Sequence, residues 1–159
     1  MLLDHQLTGN YMISKILVPI DGSKAAQKAA SYAVNLAKQL KAKVFILSVI
    51  DTHLFIFQKM PVSGTIGHIM DPLNDYLHEV ADMYTKEIKQ LCGENGIQSE
   101  VVITIGHPVE EIIKEAEKLK VDIIVMGSHG HSALAATILG GVTYGVIHKD
   151  TKTPVLVVK

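Results

Sequence analysis

The sequence predicts a doubly wound α/β fold, a parallel β-sheet with helices on both faces. Two short runs, Ile16–Ile20 (ILVPI) and Val44–Ile50 (VFILSVI), are apolar at almost every position, as expected of strands covered on both sides. The longer segments between such runs repeat apolar residues every three or four positions, the period of a helix with one buried face. Strand and helix patterns also alternate along the chain, which favours parallel pairing through crossover helices.

Ile16–Ile20 is the first predicted strand, closed by the turn residues Asp21-Gly22-Ser23. Lys24–Leu40 follows as a helix whose inner face is mostly alanine, with Ser23 placed to cap its N-terminus. Val44–Ile50 is the second strand. Asp51–Met70 mixes Pro61, Gly64 and Gly67 with Phe55, Ile56 and Phe57 and is expected to be a long loop folding over a site. A helix is expected from about Asp71 to Cys92, with Asp71 as N-cap, Pro72 in its first turn and Gly93 and Gly96 ending it. Val101–Ile105, Pro108–Leu119 and Val121–Met126 read as strand, helix and strand. A fourth helix is expected from shortly after Ser132 to about His148, with a break at Gly140-Gly141. Val155–Val158 is the fifth strand. No linker, repeat or low-complexity tract divides the 159 residues, so residues 13–159 are expected to form a single domain behind an N-terminal extension, 1–12.

Composition narrows the function. Fifteen Lys and Arg against sixteen Asp and Glu give a net charge of −1, which leaves no excess charge to hold nucleic acid. The hydrophobic fraction of 48% with 19% charged residues is that of a folding chain rather than a disordered one. No apolar stretch approaches the ~20 residues needed to span a bilayer, so no membrane partner is expected. Cys92 is the single cysteine, and with no export signal in the first residues a cytoplasmic setting is expected.

The segment richest in chemical meaning is Gly127-Ser128-His129-Gly130, followed nine residues later by Gly140-Gly141-Val142-Thr143. Glycines at a strand end and a helix start let backbone N–H groups converge on a phosphate, where the helix dipole also favours negative charge. The same glycines would equally serve tight turns and close packing. Neither the P-loop nor the GxGxxG pattern is present. In doubly wound sheets ligands sit beyond the carboxyl ends of the strands, which adds Pro19 and Asp21 after the first strand and Ile50 after the second. Asp21 could bind ribose, base or a phosphate-bound cation, or simply make the turn.

Together these segments resemble the universal stress proteins. KILVPIDGS (Lys15–Ser23), GHPVEEIIKEA (Gly106–Ala116), VDIIVMGSHG (Val121–Gly130) and TPVLVVK (Thr153–Lys159) carry the likeness. The ATP-binding branch of that family is marked by glycine, two residues, glycine, nine residues, glycine, then serine or threonine. Gly127, Gly130 and Gly140 keep the spacing, and Gly141 replaces the final hydroxyl residue. Loss of one hydrogen bond of ~0.5–1.5 kcal/mol weakens an anion site without abolishing it. Thr143 is a candidate replacement.

The resemblance implies a Rossmann-like sheet of the adenine nucleotide alpha hydrolase type, in strand order 3-2-1-4-5. It implies a site in which Pro19 and Asp21 line adenosine and Ile50 meets adenine. Met126 and Gly127 then reach ribose and phosphates, and Gly130, Gly140, Gly141 and Val142 complete the cradle. It further implies ATP or AMP as ligand, Mg²⁺ or Mn²⁺ carried by the phosphates, and a homodimer paired through Val155–Val158. The function expected is a nucleotide-responsive switch or sensor in stress response rather than a dedicated enzyme. A dimeric interaction module without nucleotide and a slow ATP hydrolase are the alternatives. Two other constellations were weighed, a His129-x-His131 metal pair and a triad of Ser23 or Ser128 with His129 and Asp21. The first lacks further ligands and the second lacks a GxSxG nucleophile elbow.

Overall fold

The computed structural model describes residues 12–51, 67–130, 139–149 and 152–159. Five parallel strands form the sheet: β1 (Lys15–Pro19), β2 (Lys43–Asp51), β3 (Ser99–Gly106), β4 (Ile123–Gly127) and β5 (Val155–Val158). Their order is β3-β2-β1-β4-β5. Four helices connect them among the described residues: α1 (Lys24–Leu40), α2 (Gly67–Glu94), α3 (Pro108–Leu119) and α4 (Gly141–His148).

Alternation along the strands explains the two layers of helices. Ile16 and Val18 of β1 and Val44 and Ile46 of β2 pack with the alanines of α1 and with Ile88 and Cys92 of α2. Leu17, Phe45 and Leu47 point the other way, to Ile112 and Ala116 of α3 and Val146 of α4. Neighbouring residues of one strand thus serve opposite cores, which is why the strands read as continuous apolar runs. Cys92 lies wholly inside the first core. Burial pushes its thiol pKa up, against a weaker opposing hydrogen bond to Ser99, which makes it a core residue rather than a nucleophile.

β1 and β4, adjacent and parallel, set the site. Ile16 pairs with Ile123 and Leu17 with Ile124, so both strands end on the same edge of the sheet. Asp122 fastens their starting ends by accepting hydrogen bonds from the Ser14 N–H at 2.8 Å, the Lys15 N–H at 2.9 Å and the Ser14 hydroxyl at 3.0 Å. Burial alone would push this carboxyl pKa up, but those bonds and the Lys15 charge outweigh it and hold the pKa below the ordinary value.

Two features of the long helix differ from expectation. The second long helix begins at Gly67, not Asp71. Pro72 therefore sits inside it, beyond the first turn where a proline would cost no helical bond. Residues 52–66, the rest of the expected covering loop, lie outside the described residues. Gly93 does not end α2, which continues to Glu94. The left-handed residue is Gly96 (φ 70°), and the Ile97 N–H donates back to Cys92 O at 2.9 Å, a reversal that glycine makes easily. At Gly140, where a break was expected, the chain is not helical, and this glycine serves as the N-cap of α4. The part of the expected fourth helix before residue 139 lies outside the described residues.

Candidate functional site

The carboxyl ends of β1, β2 and β4 open into a cleft of about 440 Å³. Its walls bring together all ten residues singled out in the sequence: Pro19, Asp21, Ile50, Met126, Gly127, Gly130, Gly140, Gly141, Val142 and Thr143. Four separate segments supply them. Leu77, Val80, Ala81 and Tyr84 of α2 also line the cleft. Leu77, Val80 and Tyr84 fall on one helical stripe by their spacing, and periodicity cannot tell a face packed on a core from one facing a cavity. His129 is a further wall residue, at a position where the sequence alone suggests only a metal ligand or a catalytic base.

The β1 side is shaped by side chains. Asp21 accepts the Ser23 N–H at 2.9 Å, and Ser23 in turn accepts the Ala26 N–H at 3.2 Å as the N-cap of α1. Gly22 between them has φ 80°, and a side chain there would overlap the Tyr84 ring. Both the backbone and the space require glycine.

The β4 side is made of backbone. A Cβ on Gly127 would lie 2.6 Å from the Ala25 carbonyl carbon, so this glycine lets α1 close on the end of β4. At Gly130 a Cβ would lie 2.7 Å from Asp21 Oδ2, which places the carboxylate of one loop against the glycine of the other. The Gly140 N–H donates to Ser128 O at 2.7 Å. Gly140 offers no side-chain cap to α4, leaving first-turn N–H groups to seek acceptors elsewhere. Gly141 has nothing within 4 Å of its Cβ position.

Thr143 does not replace a serine at 141. It is buried and its hydroxyl donates to Gly127 O at 2.8 Å, so the hydroxyl hydrogen is committed to the backbone. Its effect is to tie the first turn of α4 to the end of β4. Ser128 is buried, its Oγ 2.9 Å from His129 Nδ1, and it is absent from the cleft wall. Ser23 is occupied as a cap. Neither serine meets the geometric needs of a nucleophile. Among the described residues no cluster of three or more His, Cys, Asp or Glu side chains could hold a metal. His131 lies outside them. Nor is any described helix long and apolar enough to cross a membrane.

The sequence profile of the universal stress protein family matches residues 12–159. The chain belongs to that family. It is 40% identical to universal stress protein MJ0577 of Methanocaldococcus jannaschii over 157 residues, covering 93% of this chain and 96% of the relative. The solved structure of MJ0577 superposes with a TM-score of 0.81 at 36% identity, covering 93% and 96% of the two chains. Two more distant members share the fold. A universal stress protein solved in complex with cAMP has a TM-score of 0.65 at 23% identity, covering 92% of this chain and 97% of its own. One from Archaeoglobus fulgidus, solved in complex with dAMP, has a TM-score of 0.59 at 18% identity, covering 93% and 99%.

Proposed function

We propose that this universal stress protein binds an adenine nucleotide, ATP or AMP, in the cleft beyond β1, β2 and β4 and acts as a cytoplasmic switch or sensor in stress response. One observation carries the reading: Gly127, Gly130, Gly140 and Gly141 meet at the N-terminus of α4, which no side chain caps, on the wall of a cleft large enough for a nucleotide. Such a terminus, with its unspent N–H groups and positive dipole end, favours a phosphate. The apolar half of the cleft, with Ile50, Leu47 and Val49, suits the flat face of a purine. Family members of the same fold hold cAMP and dAMP, which supports the ligand class.

Binding rather than turnover is the proposed role. Phosphoryl transfer needs concentrated positive charge, and the described residues of the cleft wall include no Lys or Arg. Mg²⁺ or Mn²⁺ would be held chiefly by the phosphate oxygens, with Asp21 the nearest carboxylate to Gly130. For assembly, β5 is an edge strand of four half-buried residues. We propose that it pairs with the same strand of a second copy, covering both open ladders.

Calorimetric titration of nucleotide-free protein with ATP, ADP and AMP, with and without Mg²⁺, tests the reading. Saturable micromolar binding is expected. Absence of binding up to millimolar nucleotide would reject the switch and leave a dimeric interaction module. Phosphate release measured on the same samples would reveal slow hydrolysis.

A further inference from the structure

We infer that His129 is the charge-balancing residue of the cleft, making nucleotide affinity rise as the solution becomes more acidic. The inference rests on the nucleotide-binding reading above and concerns how that site is regulated. It starts from a census of charge. The titratable side chains on the described wall are Asp21 from the loop after β1, Asp51 at the end of β2, Tyr84 from α2 and His129 from the loop after β4. Two are carboxylates and one is a phenol. A nucleotide brings further negative charge to the same space. His129 is the one side chain in that set able to supply a positive charge.

Its placement suits the task. His129 lies between Gly127 and Gly130, and its Cα would be only 3.1 Å from a Cβ on Gly140, so it belongs to the rim where the glycine segments meet. The Ser128 hydroxyl lies 2.9 Å from His129 Nδ1. A hydroxyl can accept as well as donate, so this partner holds the ring whether the imidazole is neutral or protonated. A lysine or arginine would keep its charge at every physiological pH. Imidazole instead changes charge between about pH 5 and 8.

The sign follows from linkage. An anion near the ring favours its protonated form, so binding takes up a proton. Binding is therefore tightest where the imidazolium is present and weakens as pH rises and the ring loses its proton. Because the phosphate of AMP also titrates, with a second pKa near ~6, the informative quantity is wild-type affinity relative to His129→Gln at each pH.

Calorimetric titration with AMP at about pH 6 and about pH 8 reads it. Wild type is expected to bind about tenfold more tightly than His129→Gln at the lower pH and about equally at the higher. His129→Arg is expected to bind tightly at both, which guards against a Gln variant that misfolds. Repeating the titrations in buffers of different ionisation enthalpy should show more proton uptake in wild type than in the Gln variant. An unchanged ratio across pH with equal proton uptake would overturn the role of His129 while leaving the nucleotide site standing. Failure of all three proteins to bind AMP, ADP or ATP at either pH would overturn the site as well.

Discussion

Two of the helices that start beside the cleft, α1 and α4, begin in opposite ways; α3, which starts at Pro108 on the same wall, also has no side-chain cap. α1 has a polar cap: Ser23 accepts the Ala26 N–H, and Asp21 holds the turn that presents Ser23. α4 starts from Gly140 with no side-chain cap at all. Both helix starts face the same space, yet a side chain satisfies part of the N-terminus of α1 while none among the described residues caps that of α4. A glycine N-cap in place of serine or threonine gives up only roughly a few tenths of a kcal/mol. The contrast fits the proposed phosphate site on the β4 side, where the glycine segments meet, and a structural role for the β1 side.

Substitutions can break the contrast. The largest effect is expected at Gly22. Gly22→Val forces a branched residue into a left-handed conformation (φ 80°) and against the Tyr84 ring, and should cost about 3 kcal/mol or more in urea unfolding. Next is Gly130→Val. Its first obstacle is Asp21 Oδ2, the end of a movable side chain, so the fold should survive with little change in melting temperature. Nucleotide affinity should fall about a hundredfold, as one or two phosphate bonds are lost. Retained affinity in a folded protein would remove Gly130 from the cradle.

Smaller effects sharpen it. Ser23→Ala should lower stability by about 1 kcal/mol and leave nucleotide affinity unchanged. A parallel loss of affinity would mean that the two helix starts are not separate in function. Gly141→Ser, at a position with open space around it, should tighten binding several-fold, by about 0.5–1.5 kcal/mol. An unaltered titration would show that the backbone alone makes that contact.

The β1 side and the glycine spacing were legible because each has a local signature. Asp21-Gly22-Ser23 before an alanine-rich period reads as turn, cap and helix, and the structure has all three. Gly127, Gly130 and Gly140 keep a recognisable interval, and the strand order came with the family resemblance. What sequence could not show was direction. Thr143 is two residues from Gly141, yet its hydroxyl turns back to Gly127 O, a matter of helix rotation that only tertiary packing fixes. Gly93 and Pro72 carry breaker signals that the packing of α2 overrides. Tyr84, Leu77 and Val80 follow a helical stripe whether that stripe meets a core or a cavity.

The return of the chain to β4 has a consequence for rigidity. Gly127 O receives the Thr143 hydroxyl and Ser128 O receives the Gly140 N–H, so the start of α4 is tied at two points to the end of the strand. The two glycine segments of the cleft wall are thereby coupled, and a change in β4 that shifts Gly127 carries the start of α4 with it.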